Sequence, residues 1–349
     1  MPTKQMHSIG FIFTGQGAQY PGMGQALYEH LPCFQSMLME CSTILDPLLE
    51  YPLIDILYNI GVPSRKHPIH QTALTQPALF TIETSLARTL FRWGIQPSAV
   101  MGHSLGELAA AYTSGVFNLE DGLHIVTQRG ALMQAMPKNG VMSAIETDAE
   151  TVLSVMKTLG SFPAVGIAAY NGPRNVVISG DSDGVESITN ALMGLGVRTT
   201  SLRVSHAFHS ELMLPMVEPF MACINCGKLH APRIPLVSTV TGNLVHEEIT
   251  QAEHWGRGVR QPVCFEQALL TMSHLGINIF VEIGPHPVLI GMGKQCLPDD
   301  GSIIWLPLLH KRQNNWTTLL GTLGQLSDLG IEVNWNAFNA DFKQSQYNI

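Results

Sequence analysis

Residues 99–111, Ala-Val-Met-Gly-His-Ser-Leu-Gly-Glu-Leu-Ala-Ala-Ala, restrict the fold more than any other stretch of this chain. A short apolar run leads into Gly-x-Ser-x-Gly, and an alanine-rich helical pattern follows. This order predicts a strand that turns sharply into a helix with Ser104 at the apex. Gly102 and Gly106 lack a Cβ, so neighbouring backbone can approach the turn closely. The first turn of the following helix offers unpaired N–H groups to a developing oxyanion. Five residues alone also describe a plain turn with a serine N-cap. Chemistry at Ser104 therefore needs partners elsewhere in the chain.

The 349 residues suffice for one large domain, or a large one with a small one. A net charge of -8 argues against the basic face that a nucleic-acid partner requires. The polar N-terminus runs directly into Ile9–Phe13 without the shape of a signal peptide. No apolar run reaches the roughly 18 residues of a membrane span. These features predict a cytoplasmic protein with reduced thiols and no membrane partner. The six cysteines are scattered, and Cys223-Ile224-Asn225-Cys226 has no second pair to complete a zinc site. Both of its cysteines are expected to be buried thiols.

Ile9–Phe13 reads as a buried strand, followed by the glycine-rich Thr14–Gly24 loop. Tyr20 stands where a third dinucleotide-loop glycine would be, so that loop does not match a nucleotide site. A helix is expected from about Thr75 to Trp93, with Pro77 in its first turn. Val100 lies in the strand that delivers Ser104, and further helices run to about Ser114 and from Glu120 to about Met136.

The pattern changes near Asn139-Gly140. Strands are expected at Val141–Ile145, Val165–Tyr170, Asn175–Ser179 and Val197–Val204, with Asp-capped helices at 148–159 and 181–193. The order β-α-β-β-α-β is that of a ferredoxin-like unit. The expected fold is thus α/β. A large α/β-hydrolase-like subdomain with a parallel sheet takes residues 1–140 and 206–349, and a ferredoxin-like subdomain, 141–205, is inserted. Pro235–Ser238 and Ile279–Ile283 are the clearest late strands. The polar tail from about Asn339 is expected to be loose.

A serine nucleophile needs a base, and His206-Ala207-Phe208-His209-Ser210 is the outstanding candidate among 14 histidines. It follows the last strand of the inserted unit, where a loop can face the cleft. A metal reading of His206 and His209 with Glu211 lacks a further ligand, so no metal is expected.

Five separated segments resemble the malonyl-CoA:acyl carrier protein transacylase family and the acyltransferase domains of polyketide synthases. They are Gly15-Gln16-Gly17-Ala18-Gln19, Gly102–Glu107, Gln128-Arg129-Gly130, His206–His209 and Glu282–Leu289, spread over about Ile9 to Phe338. The resemblance implies that Ser104 carries the acyl group and that His209 is its base. It implies an oxyanion hole from the N–H groups of Leu105 and Gln16. The histidine would be oriented by a backbone carbonyl, for which Gln261, before Pro262-Val263, is the candidate. Arg129, 25 residues after Ser104, matches members that bind a malonyl carboxylate. Gln76 and Met133 would line the pocket, and Asn171 would face CoA, although each is equally readable as an ordinary packing or turn residue. Arg129 is also readable as a surface cation, or as a partner of Glu120 or Asp121. In polyketide synthase domains His-Ala-Phe-His accompanies malonyl units. His206 and Phe208 would thus shape the acyl site, with Phe208 filling the space of an α-methyl group. One methyl group biases selection by only about 1–3 kcal/mol.

The implied activity is malonyl transfer from malonyl-CoA to the phosphopantetheine thiol of an acyl carrier protein, with no bound cofactor. The chain is expected to be free-standing, with the pathway polyketide or fatty-acid synthesis. The competing reading is an acyl hydrolase or esterase, for which Asp121 or Asp181 would pair with His286 or His310. It leaves Arg129 and the Gly-Gln-Gly loop unexplained. An inactive carrier-docking module would not need Ser104, His209 and Gln16 together.

Overall fold

The computed structural model describes residues 7–62, 67–160 and 162–346. Among these residues ten strands form two sheets. The larger contains β1 (Ile9–Phe13), β2 (Ala99–Gly102), β7 (Leu236–Val237), β8 (Leu244–Val245), β9 (Ile279–Ile283) and β10 (Ile304–Pro307). The smaller contains β3 (Gly140–Ile145), β4 (Gly166–Gly172), β5 (Asn175–Asp181) and β6 (Thr199–Ser201).

The large sheet runs β10-β9-β1-β2-β7-β8, and every pairing is parallel except β7 with β8. Its central strands β1, β2 and β9 are wholly buried and, apart from Glu282 in β9, apolar, as expected of parallel strands covered on both faces. β1 pairs with β2 and β9 so that Phe13 stands opposite both Gly102 and Ile283. The strand ends therefore bring the 14–19 loop beside the turn at Ser104.

The Thr72–Arg92 helix is buried over most of its length, polar residues included. The Thr84 and Thr89 hydroxyls donate to carbonyls four residues back, so their burial leaves them satisfied. This helix starts earlier than the sequence suggests, because the Gln134 side chain accepts from the Thr72 amide at 2.8 Å. Pro77 consequently lies inside the helix and not in its first turn.

The small sheet is antiparallel in the order β4-β5-β3-β6, the arrangement of a split β-α-β unit. Asp148 and Asp181 cap the Ala149–Leu159 and Ser182–Gly194 helices through the amides of Thr151 and Gly184, each at 2.8 Å. Ile145, Val152, Ile178, Val185, Ile188 and Leu192 give this unit its own core. Its last strand is shorter than expected. Val197 closes the preceding helix by donating to the Leu192 carbonyl, and beyond Leu202 the chain leaves the sheet toward His206.

A seam ties the segment after the Ala252–Arg260 helix to the small sheet: Val263 donates to the Ala168 carbonyl and accepts from the Tyr170 amide, each at 2.9 Å. Two expectations are overturned. The tail is an ordered helix, Trp335–Gln346, held by buried Asp341, which accepts from Arg92 and from the Trp93 indole. Cys226 is exposed and Cys223 half-buried, because both lie where the Leu214–Ile224 helix ends at the surface. No helix among the described residues is long and apolar enough to cross a membrane.

Gly106 is in contact with the carbonyls of Phe13 and Thr14, and a Cβ there would overlap both. Backbone cannot yield as a side chain can, so Gly106→Ala should cost about 3 kcal/mol or more. For a chain of this size that is a melting temperature lower by about 4 °C or more, measurable by differential scanning calorimetry. An unchanged melting temperature would contradict the close crossing.

Candidate active site

Ser104 sits between β2 and the Gly106–Ser114 helix with φ of 52°, in the left-handed region. A non-glycine residue there carries strain of about 1–3 kcal/mol, which the surrounding structure must impose. Phe13 accepts from the His103 amide at 3.0 Å, and Gly106 donates back to the His103 carbonyl. A side chain on Gly102 would meet the backbone of Gly106 and Glu107. Both glycines thus serve the close crossing expected of them, and the turn projects the serine hydroxyl outward.

His209 reaches this hydroxyl from the loop after β6. Its Nε2 is 2.7 Å from Ser104 Oγ, and its Nδ1 is 2.9 Å from the Gln261 carbonyl oxygen. A carbonyl only accepts, so Nδ1 carries the ring proton and Nε2 is free to accept one. Burial, with the positive charge of Arg129 nearby, lowers the His209 pKa to about 3.

Arg129 arrives from the Leu119–Gln134 helix. Nη1 donates to Gln76 Oε1 at 2.9 Å, and Nη2 lies 3.1 Å from Ser104 Oγ. The side chain is buried and forms no ion pair among the described residues. Burial lowers its pKa to about 10, which leaves it charged at neutral pH. Asp121 is held by Asn118 at the start of the same helix, so neither it nor a surface position accounts for Arg129. Gln76 also contacts Met133 Sδ at 3.1 Å and Gln16 Oε1 at 3.4 Å.

The backbone amides of Gln16 and Leu105 donate to no protein acceptor among the described residues. Gln16, Leu105, Gln76, Met133 and Arg129 line a cleft of about 290 Å³ with Ser104 and His209. Its walls are otherwise largely apolar, with Met142, Val177, Leu202, Phe208 and Met292 contributed by both units. Asn171 lines the same cleft, and its side chain is 2.9 Å from His103 Nε2. His206 does not line it: the ring is fully buried, bonded to Ser205, and packs against Phe208 at a centroid distance of 5.9 Å. It can reach a ligand only through Phe208. Gln261 likewise contributes its carbonyl from behind the cleft.

The residues proposed for an esterase triad are dispersed. Asp121 and Asp181 are engaged at helix starts, and His286 packs on His310 with centroids 4.7 Å apart. No trio of side chains suited to a metal occurs among the described residues.

Sequence reasoning missed three buried carboxyl groups. Glu107 accepts from the Thr239 amide, His254 and the Ser238 hydroxyl. Glu83 accepts from Thr14 at the base of the 14–19 loop, and burial raises its pKa, favouring the neutral acid. Glu282 accepts from the amides of Val288, Leu289 and Ile290, which fixes the helix (Leu289–Cys296) that bears cleft residues Leu289 and Met292. Burial raises its pKa to about 7. Glu107 and Glu282 lie within quoted segments, but the partners of Glu107 are distant in sequence, and those of Glu282 are backbone amides that no side-chain pattern marks.

Comparison with known proteins agrees with this geometry. The acyl transferase domain profile matches residues 10–333. Polyketide synthase GfsB of Streptomyces halstedii is 40% identical over 337 residues, covering 95% of this chain but 6% of that protein. The matched segment is a small fraction of that relative, which gives the expectation of a free-standing enzyme no support. The acyltransferase domain from the second module of the salinomycin polyketide synthase superposes with a TM-score of 0.89 at 36% identity, covering 96% of this chain and 76% of that one. A malonyl CoA-acyl carrier protein transacylase from Clostridium perfringens superposes at 0.84 with 27% identity, covering 93% and 98%. With the strained serine, its histidine and the buried arginine in one cleft, the profile match over nearly the full length shows that this chain belongs to the acyl transferase domain family.

Proposed function

We propose that this protein transfers a malonyl group from malonyl-CoA to the phosphopantetheine thiol of an acyl carrier protein through a malonyl ester on Ser104. The inserted unit, residues 141–205, would form one wall of the cleft in which both thioesters bind. One observation carries the malonyl assignment: a buried arginine without a carboxylate partner lies 3.1 Å from the nucleophile oxygen. An unpaired buried cation is costly unless an anion joins it, and a malonyl carboxylate is a planar match for the guanidinium fork. Gln76 fixes the guanidinium so that its remaining N–H groups face the incoming acyl group.

In this mechanism Ser104 Oγ attacks the thioester carbonyl as His209 Nε2 takes its proton. The amides of Leu105 and Gln16 receive the developing oxyanion, an effect worth about 2.7–4 kcal/mol per donor. Collapse expels the CoA thiolate, which takes the proton back from His209. The carrier thiol then gives its proton to His209 and attacks the ester carbonyl, and the serine hydroxyl is restored. A carbonyl behind the imidazole suits a base that holds its proton only briefly. Phe208 in the cleft wall favours an acyl group without an α-branch.

Malonyl-CoA should acylate Ser104 in a burst, with slower turnover until a carrier protein is added. Intact mass and peptide mapping should place the malonyl mass on Ser104, and Ser104→Ala should carry none; label on another residue would sink this mechanism.

Arg129→Ala separates the proposal from hydrolysis of uncharged acyl esters. Losing one partner of a buried charge pair costs about 2–5 kcal/mol. Malonyl loading should fall roughly 30-fold or more while acetyl loading holds or rises. If the ratio of malonyl to acetyl loading rates does not change, Arg129 has only a structural role.

The depressed His209 pKa also has a consequence. An ordinary histidine base loses activity as it protonates near pH 6.5. With its folded value lowered to about 3, His209 stays neutral, so the kcat/KM profile for acylation should show no limb near pH 6.5. The unfolded chain does protonate there, so the stability His209 contributes at neutral pH declines as pH falls from about 6.5 toward 3. A kinetic limb at pH 6–7 that disappears on changing the base would contradict the assignment.

A further inference from the structure

The acceptor that orients His209 is a peptide carbonyl, and a peptide carbonyl has no charge with which to seek the imidazole. Its position must be fixed by the segment that carries it. Gln261 ends the Ala252–Arg260 helix, with its amide donating to the Arg257 carbonyl at 2.8 Å. In the first turn of that short helix, buried His254 donates from Nε2 to Glu107 Oε1 at 2.9 Å. Glu107 follows Ser104 by three residues, and its own amide donates to the Ser104 carbonyl at 3.1 Å.

The same carboxylate has further partners. Oε2 accepts from the Thr239 amide at 2.8 Å, and the Thr239 carbonyl accepts from the Cys264 amide at 2.7 Å. The segment bearing Gln261 is therefore tied to Glu107 at both ends. Burial alone would push the Glu107 carboxyl up, but His254, Ser238 and Thr239 together hold it below the usual carboxylate range. Glu107, Thr239, Gln261, His209 and Ser104 also share the lining of an interior cavity of about 20 Å³.

We propose that Glu107 and His254 form a positioning pair that joins the serine turn to the Gln261 carbonyl and thereby holds the His209 ring in the tautomer and orientation required at Ser104. A closed circuit results: Ser104 backbone, Glu107, His254, the 252–260 helix, Gln261, His209 and back to Ser104 Oγ. The other direct tie between the 260–261 and 209–211 segments is Arg260 with Glu211 at 2.9 Å. That pair is solvent-exposed and screened by salt, so it holds position weakly. A buried carboxylate held by His254, Ser238 and Thr239 is not screened in this way. The seam from Val263 to Ala168 and Tyr170 fixes the segment to the small sheet, but not to the serine turn.

The test rests on the reading of Ser104 and His209 as nucleophile and base, and it includes a readout independent of that reading. In wild-type protein labelled with ¹⁵N-histidine, long-range ¹H–¹⁵N correlation should show His209 protonated at Nδ1 and bare at Nε2. In folded His254→Leu the ring should populate both tautomers. Acylation kcat should then fall about 10-fold or more, by the same factor for malonyl-CoA and acetyl-CoA, with KM within about 2-fold. His254→Gln, whose amide places a donor near the Nε2 position, should stay within about 3-fold of wild type. Should His254→Leu not fold, Glu107→Gln keeps the volume, removes the charge and is read by the same tautomer signal. An unchanged His209 tautomer and rate in either folded variant would overturn the proposal. So would equal slowing in His254→Leu and His254→Gln, which would reduce the pair to core packing. Absence of any Ser104 acylation in wild type would instead defeat the functional reading, and the tautomer data would still decide the positioning role.

Discussion

The crossing of two chain segments at Gly106 governs the arrangement around the serine. The end of β1 presses its carbonyls against the start of the helix after Ser104, at a separation that excludes any Cβ. The serine can then only turn through the left-handed region, and its hydroxyl is pushed out over the strand ends. The same approach brings the loop after β1 alongside, so Gln16 and Leu105 line one cleft. The parallel pairing of β1 with β2 makes this crossing obligatory.

Electrostatics in the cleft follow from burial: among the described residues Arg129 has no direct ion pair, and Glu107 supports its charge through space. The Arg129 guanidinium stands beside the Ser104 hydroxyl, His209 is kept neutral, and the Gln261 carbonyl that accepts from it is uncharged. Each choice is consistent with the others. The negative charge is located at Glu107, which makes no ion pair with Arg129 and whose hydrogen-bonding capacity His254, Ser238 and Thr239 consume.

The sequence made the chemistry legible where it is local. The strand, turn and helix around Ser104 are contiguous, and the capped helices of the small unit announce themselves through Asp148 and Asp181. His209 and Arg129 were found through segments that resemble a known family, and the geometry then brought both to the serine oxygen. What stayed hidden depends on contacts between distant residues. Glu107 reads as one more helix-surface acid until Thr239 and His254 are folded onto it. His206 reads as a cleft residue from its neighbour at 209, yet the strained backbone at His209 turns the two rings apart. The tail reads as loose because Asp341 has no visible partner before Arg92 and Trp93 are placed beside it. Cys226 lies past the last helical turn, where composition says nothing about which way a side chain faces.

The seam at Val263 has a mechanical meaning. This residue is stitched to Ala168 and Tyr170 of the small sheet and stands two positions from Gln261. The aperture between the sheets and the alignment of the imidazole therefore share a hinge pin. The carbonyl that accepts from His209 and the residue stitched to the small sheet are held in one run of three residues, Gln261 to Val263, so the placement of that sheet and the alignment of the imidazole are set by the same short length of backbone.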